Sequence, residues 1–256
     1  MDSQPRWIHK YEFKPDRWIF IPTEQTIKVG TEIKNAVTTK WPTPSYYFHL
    51  RQGGHVAALR HHQADKYFAC LDIEKFFNSI NRSRLTRSLK QLFDYKTARD
   101  YTLLSAVRHP KRVPKTYVLP YGFVQSPVLA SLCLRYSTLG NKIDQISRAG
   151  AQRISIYMDD IIISGNVESD LRHSMDEIKQ AAEKSKFKLN SKKEQEPSIK
   201  ITVFNVDMTS AYLAIEKQRY LELKCNYQST TNQNVRHGIG TYVSTINKKQ
   251  CTALDQ

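Results

Sequence analysis

None of the four cysteines (Cys70, Cys133, Cys225 and Cys251) stands within CxxC distance of another. That spacing argues against a cysteine zinc site or a disulfide framework, and reduced thiols of a cytoplasmic protein are expected. No apolar run approaches the length of a membrane span. The opening MDSQPRWIHKYEFKP lacks the apolar stretch of a signal peptide, so no membrane partner is expected. Repeats and low-complexity tracts are missing too, and the nine glycines and ten prolines punctuate single turns rather than linkers. Acidic charge is also scarce: 24 Asp and Glu stand against 39 Lys and Arg, for a net charge of +15. Such a surplus points to a polyanionic partner, nucleic acid first. The basic residues are dispersed, as at His61-His62, Lys111-Arg112 and Lys192-Lys193, which predicts a charged groove on a folded body and not a basic tail.

The 256 residues suffice for one large domain or two modest ones. Residues 17–22 (RWIFIP) read as a short strand stopped by Pro22, and residues 31–41 put Ile33, Val37 and Trp41 on one helical face. Residues 67–73 (YFACLDI) form a continuous apolar run with one carboxylate near its end, the pattern of a buried strand. A helical region follows over 82–108, with Leu85, Leu89, Leu92 and Phe93 at helical spacing. Ser126-Pro127 reads as an N-cap hydroxyl with proline at the first helical position, ahead of Leu129, Leu132, Cys133 and Tyr136 on one stripe. Residues 167–186 are helical, and 187–190 and 199–206 return to a period of two. The order predicts an α+β fold, with helices packed on one face of an antiparallel sheet.

Residues 153–165, RISIYMDDIIISG, set two adjacent carboxylates between runs of isoleucine. Desolvating charge is costly, and a pair at the tip of a tight hairpin makes sense if something positive sits there. Pairing of the 67–73 strand beside this hairpin would bring Asp72 to the same sheet edge as Asp159 and Asp160. Converging oxygens of that kind can bind hard divalent cations, as phosphoryl transfer requires. Alone, Asp-Asp could equally make an ordinary turn.

YMDD in an apolar hairpin, after an apolar strand carrying Asp72, resembles the reverse transcriptase family. LDIEKFFNSI (71–80) resembles that family's first catalytic motif, LPYGFVQSPVLASL (119–132) its second, and KFKLNSKKE (186–194) its lysine-bearing block. These blocks stand in the family's order over residues 67–194. The resemblance implies a right-hand polymerase with fingers over 1–66, a palm over 67–207 with a helical fingers insertion around 82–118, and a small helical thumb over 208–256. In the last region Ile239, Val243 and Ile246 fall at helical steps with basic residues on the other faces.

Carried over by position, Asp72, Asp159 and Asp160 would be catalytic and, with Ile73, would ligate two Mg²⁺ ions, Mn²⁺ being a possible substitute. Phe77 would be the aromatic gate beneath the sugar, against the alternative of plain core, which is the reading for Phe76. Tyr121 and Gly122 would meet the nucleotide, Tyr121 standing where viral enzymes usually carry Gln. Lys192 or Lys193 would approach the β/γ-phosphates. Arg17, Lys28 and Arg51 are candidates to grip the triphosphate, and Arg51, Arg60, Tyr157, Met158 and Arg236 to contact nucleic acid. YYFHLRQGGHVAALRHH (46–62) is read as a template- or triphosphate-facing loop, or else as a turn rich in surface histidine.

The resemblance narrows to compact bacterial enzymes of the retron and phage-defence groups, with no room for an RNase H or integrase domain. The retron VTG block is replaced by ITVFNVDM (201–208), which favours a defence-associated, non-retron member. It implies an RNA-directed DNA polymerase using dNTPs, a dedicated non-coding RNA template and a DNA product, with a protein partner or self-association possible. Competing readings are an RNA-templated RNA polymerase, a template-independent or protein-primed nucleotidyl transferase, and a non-catalytic RNA-binding defence protein. Phe77 argues against the first, and the three Asp residues against the last.

Overall fold

The computed structural model describes residues 5–256, so the first four residues of the expected fingers region and of the N-terminal stretch lie outside the described residues. The chain runs β1 (Trp7–Lys14), β2 (Arg17–Pro22), α1 (Glu24–Lys40), α2 (Gly54–His62) and β3 (Tyr67–Asp72). It continues through α3 (Arg82–Leu89), α4 (Tyr95–Ser105), β4 (Val107–Arg108), β5 (Tyr117–Val118), α5 (Ser126–Arg135) and α6 (Thr138–Ala149). Next come β6 (Arg153–Tyr157), β7 (Asp160–Gly165), α7 (Glu168–Lys184), β8 (Gln195–Ser198), β9 (Ile201–Val203), β10 (Val206–Met208) and β11 (Leu213–Ile215). Three helices close the chain: α8 (Lys217–Ser229), α9 (Gln233–Ile246) and α10 (Lys248–Thr252). Among the described residues no helix is long and apolar enough to cross a membrane.

The central sheet is antiparallel, in the order β6-β7-β3-β8. Because strand side chains alternate, its two faces are separate sets of residues. Ala69, Leu71, Ile154, Ile156, Ile161 and Ile163 enter the main core with residues of α1, α5, α6 and α7. Phe68, Cys70 and Ile162 point the other way and pack with Val56 and Leu59 of α2 and with Val206, Ile215, Leu223 and Val243 of the C-terminal elements. The near-continuous apolar run of β3 therefore reflects a strand covered on both faces. Each such aliphatic side chain contributes about 1.5–3 kcal/mol.

Several elements differ from the sequence reading. The α5 cap shifts by one residue: Gln125 is the N-cap without a side-chain cap bond, and Ser126 is the first helical residue, its buried hydroxyl unpartnered. The 187–190 segment is no regular strand; it makes one isolated bridge, Ile73 to Leu189, after Lys186 turns at φ 55°. The expected run over 199–206 breaks into β9 and β10 around Phe204 and Asn205, both at positive φ, as a tight two-residue hairpin demands. The three-stranded sheet β11-β10-β9 straddles position 207/208.

His62 belongs to the core and not to a surface turn. Its ring is fully buried, with Nδ1 2.7 Å from Ser164 Oγ and Nε2 2.7 Å from Ser155 Oγ. Ser164 Oγ donates to Asp65 at 2.5 Å, and Asp65 also pairs with Arg153. Burial, then His61 and Arg153, hold the His62 imidazole well below its ordinary 6.5. The unfolded chain therefore takes up a proton near pH 6.5 that the folded chain refuses, so stability is lost as pH falls below that value. The stability difference between wild type and His62→Gln should accordingly shrink by about 1.4 kcal/mol per pH unit below 6.5. Urea unfolding from pH 8 to 5 measures it, and a pH-independent difference would contradict the buried neutral imidazole.

Candidate active site

The register of the central sheet builds the acidic end. Asp72 is the Cα partner of Asp160 across β3 and β7, and Tyr157 is the partner of Asp160 across β6 and β7. Met158 and Asp159 are left as the two-residue loop between the strands. Since Asp72 and Asp160 share parity with Cys70 and Ile162, the period of two aims both carboxylates to the face shared with the C-terminal elements. Ile73 N–H donates to the Asp159 carbonyl at 2.8 Å, locking the loop to the end of β3.

The electrostatics here run against ionisation. Burial, then Asp159 and Asp72, pushes the Asp160 carboxyl up to about 7. Asp159 is also raised, by burial foremost and with Asp72 adding to it. Cys70 beneath them has its thiol pushed well up, by burial and then by the neighbouring carboxylates. Protonation relieves such a site, and so does a source of positive charge. One source is present: Lys193 Nζ bonds Asp72 Oδ2 at 2.7 Å, where Asp72 is only 2 % exposed. Among the described residues no group of three or more His, Cys, Asp or Glu side chains stands at metal-holding separation. The side chains of the three aspartates are thus neighbours in register but not gathered on one point. The donors themselves, three carboxylates of which Asp159 and Asp160 have their charged forms disfavoured, fit a hard divalent ion.

Beside this end lies a stack of three predicted residues. Phe77, in a short 3₁₀ turn after β3, meets the Tyr121 ring edge-to-face at 4.7 Å between centroids. The Arg17 guanidinium lies over the other partner, 4.4 Å from the Tyr121 centroid. Burial pushes the Tyr121 hydroxyl up to about 12, Arg17 opposes, and Asp159 and Asp72 add to it. Phe77 is 8 % exposed, so it packs mostly as core while contacting Tyr121. Gly122, at φ 102°, is pressed against β2: an added Cβ would meet the Phe20 carbonyl oxygen at 2.1 Å. The glycine is needed there for close backbone approach by the hairpin.

Lys192 is exposed and, with Lys193, lines a cleft of about 460 Å³ that also contains Asp160, Phe204 and Asn205. The other predicted contacts scatter. Arg51 bonds the Ser45 carbonyl and lies over Phe48, Arg60 bonds the Thr245 carbonyl of α9, and Arg236 bonds the Tyr227 carbonyl. These arginines serve first as struts, and Lys28 is exposed on α1. Tyr157 packs edge-on against His49, His55 and Phe204. Gly53 and Gly54, both at positive φ, start α2.

Sequence reasoning missed His49. It is largely buried, burial holds its imidazole down to about 4, and its Nδ1 accepts from Met158 N–H at 3.0 Å. No local pattern signals a bond spanning 109 residues.

A family profile described as "Reverse transcriptase (RNA-dependent DNA polymerase)" matches residues 24–234. No curated protein sequence matches the chain. Among solved structures, telomerase from Candida albicans in complex with a fragment of telomeric RNA is similar at a TM-score of 0.56 and 11% identity, over 89% of this chain and 47% of that one. A foamy viral protease-reverse transcriptase in complex with an RNA/DNA hybrid is similar at a TM-score of 0.51 and 17% identity, over 95% of this chain and 29% of that one. The chain thus spans under half of the first and under a third of the second, and at these identities the likeness is one of fold.

Proposed function

The chain belongs to the reverse transcriptase (RNA-dependent DNA polymerase) family, and from that premise we propose that it extends a primer 3′-hydroxyl with deoxynucleotides on an RNA template. The observation that carries this reading is the register pairing of Asp72 with Asp160, with Asp159 on the intervening loop and the Phe77–Tyr121–Arg17 stack alongside. Asp72, Asp159 and Asp160, with the Ile73 carbonyl, would hold two Mg²⁺ ions, or Mn²⁺, whose chemistry is to activate the 3′-hydroxyl and stabilise the leaving pyrophosphate. Phe77 and Tyr121 bound the sugar side. Arg17 and the Lys192–Lys193 pair supply cations at the two rims for the triphosphate. In this reading residues 1–66 are fingers, 67–207 palm with the 82–118 insertion, and 208–256 thumb.

The finer proposal is a compact bacterial enzyme of phage defence that copies a dedicated non-coding RNA. It is supported by ITVFNVDM (201–208) standing where retron enzymes carry their VTG block, and the +15 charge supports a nucleic-acid partner. Primer extension on an RNA template with Mg²⁺ tests the activity, and sequencing of co-purifying nucleic acid tests the template. Incorporation should follow template sequence; products indifferent to template would establish instead a template-independent transferase. Affinity for the primed RNA should fall steeply with salt, with a log–log slope of about −3 or steeper as phosphate contacts release counterions. A slope near zero would mean that the surplus charge faces elsewhere.

A further inference from the structure

The loop that carries Asp159 is built on an unfavourable residue. Tyr157 pairs with Asp160, so Met158 and Asp159 alone make the turn. Met158 sits at φ 59°, whereas Asp159 does not enter the positive region. A two-residue hairpin with its first position left-handed prefers glycine there, because a Cβ crowds the backbone. Methionine persists in such a conformation only where its surroundings hold it.

His49 supplies the hold. Its Nδ1 lies 3.0 Å from Met158 N and 3.4 Å from the Ile156 carbonyl, and its Nε2 lies 2.8 Å from Ser131 Oγ. Ser131 Oγ in turn donates to the Pro127 carbonyl at 3.0 Å. One proton arrangement serves every strong contact: bare Nδ1 accepts from Met158 N–H, Nε2–H donates to Ser131, and Ser131 donates to Pro127. The opposite tautomer would satisfy Ile156 and set two donors face to face at Met158. The residues the ring contacts are themselves anchored, since Ile156 N–H donates to the Tyr46 carbonyl at 2.7 Å and the Tyr47 hydroxyl donates to the Ser131 carbonyl at 3.3 Å. A continuous chain of bonds therefore runs from the start of α5 through His49 to the strained turn.

We propose that His49 is a positioning residue for the Asp159 carboxylate, fixing the Met158 backbone by a neutral imidazole braced on Ser131. The catalytic meaning of this hold rests on the polymerase reading, whereas the hold itself does not. His49→Phe keeps the ring and removes the acceptor; His49→Asn places an amide oxygen near the Nδ1 position. Methionines stand at 1, 158, 175 and 208, so selective ¹⁵N-methionine labelling resolves the Met158 amide against Met175 and Met208. In His49→Phe the Met158 amide should exchange at least tenfold faster while Met175 and Met208 stay as in wild type. Incorporation kcat should fall about tenfold with KM for dNTP little changed, and His49→Asn should restore both readouts. Unchanged Met158 exchange in His49→Phe would overturn the inference, as would equal acceleration at all three methionines, which marks general loosening. A wild-type protein that incorporates no nucleotide would sink the polymerase reading alone, because the exchange measurement decides the hold without it.

Discussion

Asp159→Asn is expected to lower nucleotide incorporation by about a thousandfold or more, roughly 4 kcal/mol of transition-state stabilisation, with no loss of folded protein. Asn keeps the shape of the loop and its carbonyl bond to Ile73, and removes only the charge that a divalent cation needs. The stability side has a definite sign. Burial and the neighbouring Asp72 already disfavour the ionised Asp159, so its neutral replacement should leave the melting temperature unchanged or raised. Asp72→Asn makes the contrast, because Asp72 is the carboxylate a lysine already neutralises. The Lys193 side chain is 60 % exposed and returns to water, so the loss of stability should be at most about 1 kcal/mol. Template-directed primer extension at saturating Mg²⁺, alongside thermal unfolding, measures both. Retention of a tenth of wild-type incorporation by Asp159→Asn would sink the two-metal assignment.

Phe77→Val is expected to raise the use of ribonucleotides relative to deoxynucleotides by about tenfold, which needs only about 1.4 kcal/mol of differential transition-state binding. The ring stands edge-to-face with Tyr121 at the end of the strand that carries Asp72, where a sugar would lie beside the carboxylates. A 2′-hydroxyl there would meet the Phe77 ring, a hydrocarbon that offers it no hydrogen bond, which would cost its desolvation. A smaller side chain leaves room for the hydroxyl and water. Valine is the better probe than alanine, since full truncation of a buried Phe costs about 3–5 kcal/mol of stability. The quantity to compare is the dNTP/rNTP ratio of kcat/KM on protein verified as folded. An unchanged ratio would assign Phe77 to the core alone and reopen the RNA-polymerase reading.

The strand and hairpin bearing the three aspartates were legible because strands covered on both faces leave short unbroken apolar runs, and a charge at the end of one stands out. The helices α1, α5 and α7 were legible from apolar residues at a period of 3.6. The helix α6 carries Leu139, Ile143 and Ile146 as a buried stripe at helical spacing with polar residues between them, a signal as readable as those, and the sequence reading nonetheless leaves it out. The strand β8 reads QEPS and has no strand propensity; it forms as an edge beside β3, where Pro197 needs no ladder donor. The strand β1 is mostly exposed and exists through its pairing with β2. The roles of Arg60 as a strut and of His49 as a brace depend on partners far away in sequence, and Arg236 reaches back across the turn between α8 and α9 to Tyr227. No local spacing encodes them.

The seam between β2 and the segment at 119–122 has a mechanical consequence. Phe20 N–H donates to the Tyr121 carbonyl at 2.9 Å, Ile19 bridges Tyr121 in parallel, and Gly122 leaves no gap against Phe20. The hairpin that carries Arg17 is thereby riveted to the wall that carries Tyr121. It cannot swing as a free lid without shearing that seam, so Arg17, Tyr121 and Phe77 keep their spacing as one rigid jaw. On the proposed polymerase reading, discrimination at this wall would be a matter of a fixed gauge that each incoming sugar either fits or fails, with no cost of closing to be recovered from the correct one.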